Sequence, residues 1–253
     1  MQLPDSPQIR AKIALAKKYG NRIKTLSTAY DVELERIWKR HLQMLKASLS
    51  SDGMVKSILD SLIDSLRELL LRLIEGSMRV ACEREEVEDT DMQILLLQTT
   101  VPQCSISYYE DTLVRYRSIL ESEMAFAGNN EISADLDLFL LNPMAYMSGR
   151  KNGLLALKEG IGEVSKGVSY SFRDNMKKLG ISVAALAYAK AEYELWKNTG
   201  LVSGYIGVRN SSYPCPLCDS YAYRFIPMAE GMVYPLHNRC VCSIVPLHQN
   251  ELL

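Results

Sequence analysis

The chain has 253 residues, of which 47% are apolar and 23% are charged, and this composition excludes a wholly disordered protein. Its 29 Lys and Arg nearly balance 30 Asp and Glu, so the net charge of −1 argues against a uniformly basic nucleic-acid binder. Residues 1–50 nevertheless have ten Lys or Arg and four Asp or Glu, a net of +6. We interpret this basic stretch as a solvated helix face, with contact to nucleic acid or to an acidic partner as the alternative.

The first 200 residues are predicted to be mostly helical. Residues 9–47 suggest one or two helices, with a break near Gly20. Residues 54–82 show apolar side chains in steps of three and four, which is typical of one long amphipathic helix. Residues 83–91 form an acidic connector, and further helices are predicted over residues 108–127 and 181–197.

The sequence changes from helical patterns to short strand patterns and frequent prolines after Gly200. Short strands are predicted at residues 205–208, 221–226 and 241–245, and five of the nine prolines lie beyond position 213. We therefore predict a mainly α protein with a small C-terminal α+β module, divided into a helical region at residues 1–160 and a second domain at residues 161–253. The β-rich part has about 50 residues, and a module of that size seldom folds without a cross-link.

Four of the six cysteines lie in this C-terminal module. Because no secretion signal is recognised at the N-terminus, clustered cysteines favour metal ligands over disulfides. Zinc takes four N or S ligands, and a complete set of protein ligands leaves no open position, which predicts a structural Zn²⁺ site. The alternative is that they remain thiols without a metal. The candidate ligands are Cys215, Cys218 and His237, with either Cys240 or Cys242 as the fourth.

Patterns typical of catalysis are missing from the sequence. It has three histidines, His41, His237 and His248, and no His-Glu-x-x-His. Zinc deaminases need an upstream His-x-Glu, but His41 is followed by Leu42 and Gln43. We therefore predict that the protein is not an enzyme and has no small-molecule substrate. No segment has the roughly 20 apolar residues of a membrane span, so no membrane partner is predicted.

Residues 167–246 resemble the Mu F-like (SPP1-type) phage head morphogenesis proteins, the minor head proteins of tailed phages. An Ala-rich helix at residues 184–196 is followed by a strand and by Cys-x-x-Cys, as in that family. The stretch from Tyr234 to Cys242 is similar to the family's closing His-Pro-x-Cys-Arg-Cys motif, although Asn238 replaces the usual Pro and Val241 the usual Arg.

The resemblance implies that residues 161–253 form a head morphogenesis domain. It implies a phage or prophage minor head protein, a structural adaptor located in the head interior of the virion or, during assembly, in the host cytoplasm. Its expected partners are the portal and other head proteins, and it has an expected role in packaging or delivering phage DNA. Two alternatives stay open: a zinc-dependent nucleic-acid-binding protein or nuclease, and an intracellular zinc-binding interaction protein.

Overall fold

A computed structural model describes residues 6–48, 52–102, 172–210, 215–233 and 242–251. In these ranges the chain is mainly helical and ends in a small antiparallel sheet, which confirms the predicted fold class of a mainly α protein with a small α+β module. The helix predicted at residues 108–127 and the domain boundary predicted at residue 160 lie outside the described residues. No helix in the described ranges is both long and apolar enough to cross a bilayer.

The helices of the described ranges are α1 (Pro7–Ala47), α2 (Asp52–Arg84), α3 (Thr90–Leu97), α4 (Phe172–Thr199) and α5 (Pro216–Tyr221). The strands are β1 (Val202–Val208), β2 (Phe225–Pro227) and β3 (Ser243–His248), in the order β2-β1-β3, with both pairings antiparallel. Short 3-10 turns follow β2 at Met228–Glu230 and β3 at Gln249–Glu251. Two of the α-helices were not predicted: α3, and α5 within the Cys-x-x-Cys segment.

The break expected near Gly20 is wrong, because α1 runs without interruption. A Cβ atom at Gly20 would lie 2.2 Å from Nδ2 of Asn210 and 3.0 Å from Oγ of Ser243. The glycine therefore accommodates the close approach of α1 to the side chains of Asn210 and Ser243, and it does not end the helix. The glycine predicted to stop the later helix does so, since Gly200 follows α4 with a φ of +65°.

The apolar stripe predicted for residues 54–82 is confirmed by α2. Its spacing of three and four residues places one continuous face in the interior. The buried members of this stripe are Ile58, Leu59, Leu62, Ile63, Leu66, Leu69, Leu70, Leu73 and Ile74. Both tryptophans, Trp38 and Trp196, are also buried, as predicted from their positions on helices.

The chain divides into two compact units. The first comprises Met1–Tyr30, Leu70–Ser107 and Leu179–Leu253, and the second comprises Asp31–Leu69 and Tyr108–Lys178. In the first unit, side chains from the start of α1 share a core with those of β1 and β3: Ile9, Ala16, Ile206, Val208, Val245 and Leu247. The small C-terminal sheet thus uses the first half of α1 as one of its covering layers.

In the second unit, a buried histidine joins two helices. His41 of α1 is hydrogen-bonded through Nδ1 to the carbonyl of Ile37 at 2.8 Å and through Nε2 to Oγ of Ser61 on α2 at 3.2 Å. Both ring nitrogens are therefore used in packing contacts, and a structural role accounts for this histidine.

Candidate metal centre

The first cysteine pair is organised by α5. Cys215 is the N-cap residue of this helix, and its Sγ accepts a hydrogen bond from the backbone N–H of Cys218 at 3.5 Å. Pro216 occupies the first helical position, where its missing N–H leaves no intrahelical bond unmade. The short Cys-x-x-Cys helix thereby holds the two thiols on one local turn, with Cys218 buried and Cys215 half-buried.

A third cysteine belongs to the same side-chain cluster as Cys218, although it lies far from it in the sequence. Cys242 immediately precedes β3, is buried, and belongs to the same side-chain cluster as Cys218, against which Cys215 also packs. The strand predicted at residues 241–245 begins one residue after Cys242, at Ser243. Three of the five predicted ligands therefore belong to or pack against one apolar cluster.

The other two predicted ligands, His237 and Cys240, lie outside the described residues. Among the described side chains, no group of three or more His, Cys, Asp or Glu has an arrangement that could hold a metal ion. The structure has the three described cysteines of the cluster as thiols. The zinc site therefore stays a prediction, and the chemistry of the donors fits it, since soft thiolates are ligands that Zn²⁺ prefers.

The surroundings of the three thiols are apolar and aromatic. Their cluster includes Tyr193 and Trp196 of α4, Tyr205 of β1, and Ile226 and Ile244 of the neighbouring strands. The rings of Tyr193 and Tyr205 pack edge to face, with centroids 6.1 Å apart and an interplanar angle of 83°. A hydrophobic shell of this kind controls the access of solvent to a site.

Two tyrosine hydroxyls hold the segment that leads toward His237. The Tyr205 hydroxyl donates to the carbonyl of Gly231 at 2.9 Å and accepts from the N–H of Val233 at 2.7 Å. The Tyr193 hydroxyl donates to the carbonyl of Met228 at 3.1 Å. Burial raises the pKa of Tyr205 to about 12, so its hydroxyl keeps the proton that it donates. No sequence pattern predicts these contacts, because an aromatic residue in a strand is ordinarily a packing residue.

A buried ionic cluster anchors the strand that follows Cys242. Arg84, at the end of α2, pairs with Glu192 of α4 and donates to the Tyr188 hydroxyl at 3.2 Å and to the carbonyl of Ile244 at 3.0 Å. Its guanidinium lies 5.7 Å from the centre of the Trp196 ring. The Arg84 and Glu192 side chains are only 3% and 0% exposed.

The charge state of Glu192 depends on two opposing effects. Complete burial raises its pKa to about 7, while the positive charge of Arg84 and the Tyr188 hydroxyl limit that rise. One carboxylate oxygen, Oε2, has no hydrogen-bond partner among the described residues, and neither has Nε1 of Trp196, one helical turn further along α4. No motif marks this cluster, since Arg84 lies within an acidic run that predicts a solvated connector.

No protein-family model, curated protein or solved structure matches this chain. The resemblance of residues 167–246 to phage head morphogenesis proteins therefore stays a prediction that depends on the residues quoted for it.

Proposed function

We propose that this protein is a phage or prophage minor head protein, a structural adaptor whose C-terminal module is cross-linked by zinc. The observation that supports the proposal is that Cys218 and Cys242 belong to one buried cluster, against which the half-buried Cys215 packs. These cysteines belong to the segment whose motifs resemble the head morphogenesis family. Its expected partners are the portal and other head proteins, and its role involves no catalysis.

In this proposal the zinc ligands are Cys215, Cys218, His237 and one of the last two cysteines. Cys242 belongs to the same cluster as Cys218, which supports it as the fourth ligand, and Cys240 stays the alternative. When bound, zinc would supply coordinate bonds that join α5 to the residue before β3, across the 23 positions between Cys218 and Cys242. A set of four protein ligands leaves no position for water or substrate, which supports a structural ion.

The adaptor role requires a rigid C-terminal module that holds a neighbouring surface in position for binding to other proteins. The sheet shares a core with Ile9 and Ala16 of α1, and Lys12 of that helix pairs with Glu251 at 2.7 Å. The C-terminal sheet therefore packs against the first half of α1 and holds in place the surface that this part of the helix forms. That surface is the one we expect to contact head proteins.

A second candidate function is zinc-dependent nucleic-acid binding. Residues 7–30 contain six Lys or Arg and no Asp or Glu, and Lys17, Lys18 and Lys24 are exposed on α1. A surface with positive side chains and no carboxylates is the kind that contacts phosphates. It is equally compatible with phage DNA as a partner of a head protein.

Metal analysis of the purified full chain tests the cross-link. We expect one zinc per chain, and we expect Cys218→Ser and His237→Ala to lose the ion and lower the melting temperature. Cys82→Ala is the matched control, because Cys82 is a buried thiol of α2 outside the cluster, so this variant keeps its zinc. A zinc-free wild-type protein, or a His237→Ala variant with unchanged zinc and melting temperature, would refute the site.

Co-expression with the portal protein encoded nearest to its gene tests the adaptor role. We expect the two to co-purify in a complex that survives nuclease treatment. Salt-sensitive DNA binding that depends on Lys17 and Lys18, with no capture of portal or capsid protein, would favour the nucleic-acid-binding alternative. Cleavage of DNA with added divalent metal would favour the nuclease.

A further inference from the structure

One exposed face of the first unit has a continuous row of charged side chains that crosses three helices. On α1, the cationic groups of Lys18 and Arg22 lie 5.8 and 5.5 Å from the centre of the Tyr19 ring. Arg22 then pairs with Glu83 of α2. The row therefore passes from α1 to α2 through a direct ion pair.

The row continues from α2 to α3. Arg79 of α2 pairs with Asp91 of α3 at 2.9 Å and with Glu75 at 3.0 Å. Arg79 and Glu83 are four residues apart on α2, so they lie on the same side of that helix. The basic part of α1 and the start of α3 therefore border one surface, which we call the charged face and define by Lys18, Arg22, Glu83, Arg79 and Asp91.

The two ends of the charged face differ in chemistry. The α1 end belongs to residues 7–30, which contain no carboxylate side chain. The other end contains five carboxylates within residues 85–91, followed by three large apolar side chains on α3. Met92, Leu95 and Leu96 are 56%, 61% and 56% exposed. Their spacing places them on one side of α3, so they form a single apolar patch with an acidic border.

This end of the face is already ordered without a partner. Asp89 caps α3 by accepting a hydrogen bond from the N–H of Met92 at 3.1 Å, and the N–H of Val87 donates to the carbonyl of Cys82 at 3.0 Å. The Arg79–Asp91 pair fixes the first turn of α3 against α2. Little conformational entropy is therefore lost when another surface covers the patch.

We propose that the charged face is the interface of a two-fold symmetric dimer formed by two copies of this chain. A two-fold axis places a surface against itself in the opposite direction, so the basic end of each copy meets the acidic, apolar end of the other. Leu15 of α1 is 40% exposed, one turn before Lys18, and supplies an apolar contact for the α3 patch. This inference does not depend on the zinc site.

The strength of the contact follows from its chemistry. A few apolar side chains bordered by charges are less than an obligate dimer buries, so the association is reversible and salt-sensitive. We expect sedimentation velocity of the full chain to show a monomer–dimer equilibrium that shifts toward monomer with added salt. Replacing Leu95 by Asp in the patch should abolish the dimer.

Charge reversal distinguishes this face from other surfaces. Lys18→Glu and Glu88→Lys should each weaken dimerisation by about tenfold or more, because each puts like charges together across the axis. The double variant should recover most of the loss, since complementarity returns with the signs exchanged. Lys39→Glu is the matched control, because it reverses an exposed charge on α1 outside this face and should leave the dimer unchanged.

Three results would overturn the proposal. The first is a monomer at every concentration tested, and the second is a dimer unaffected by Leu95→Asp or equally weakened by Lys39→Glu. The third is protection of the α3 amides from hydrogen exchange at concentrations where the chain is monomeric, which would mean that residues 103–171 or another part of the same chain covers the patch. Unchanged circular dichroism and melting temperature verify that each variant is folded.

Discussion

Arg84→Met tests whether the buried ionic cluster anchors β3 in the first unit. The substitution preserves much of the side-chain volume but removes the charge facing Glu192 and the donors to Tyr188 and Ile244. Removing one partner of a buried ion pair costs about 3–5 kcal/mol, because the other charge stays buried without compensation. At pH 8, where wild-type Glu192 is ionised, we expect the free energy of unfolding to fall by this amount.

The cost of Arg84→Met should depend on pH. Without Arg84 the pKa of Glu192 rises further, so at pH 6 the carboxyl takes up a proton and the penalty is smaller. Urea denaturation of the full chain at both pH values measures the difference. The double variant Arg84→Met/Glu192→Leu should recover at least half of the loss, since no buried charge remains. A loss below about 1 kcal/mol at pH 8, or no recovery in the double variant, would refute the anchoring role.

Three further predictions concern single side chains of the first unit. Tyr205→Phe removes the bonds to Gly231 and Val233, so the unfolding free energy should fall by about 1–3 kcal/mol and the Val233 amide should exchange faster in NMR. Gly20→Ala should destabilise the folded protein, because the new Cβ meets Asn210. Gly76→Ala makes only ordinary 3.6 Å contacts with Leu26, so it should stabilise the fold by up to about 1 kcal/mol in thermal melts. In the folded protein the pKa of Glu192 is about 7, against an ordinary value of 4.5. The free energy of unfolding of the wild type should therefore fall by about 3 kcal/mol as the pH rises from the lower value to the higher one. Glu192→Gln should lack that fall when denaturation is measured as a function of pH.

The sequence predicted those elements whose signals are local and repeated. The stripe of α2 recurs over many turns, and α4 ends at a glycine in the left-handed region, so both were recognised without tertiary information. Gly20 shows the opposite case. A glycine inside a helix indicates either a break or a close approach, and only the position of Asn210 distinguishes the two.

The candidate site shows the same difference between residues with a local sequence signal and residues whose role depends on distant partners. Cys215 and Cys218 were recognised from their spacing, and Cys242 belongs to the same apolar cluster as Cys218, while the metal site itself stays a prediction. Three residues were missed because their partners lie far away in the chain. Tyr205 bonds to Gly231, 26 positions away, and Arg84 bonds to Ile244, 160 positions away. Glu192 pairs with Arg84, 108 positions away. Contacts of this kind have no sequence period, and a buried Arg–Glu pair has the composition of a solvated helix surface.

The predicted need for a metal cross-link rested on the small size of the C-terminal module. In the first unit, however, helices α1 and α2 also support that module. The sheet shares a core with α1, and Arg84 of α2 binds the β3 backbone, so β1 and β3 have packing partners that do not depend on the cysteines. The cysteine cluster instead joins α5 to the residue before β3. If zinc is bound as proposed, its loss should therefore release the Cys215–Cys242 region while α1, β1 and β3 stay together. Hydrogen exchange after chelation separates this local loss from unfolding of the whole unit, in which the β1 amides would also exchange.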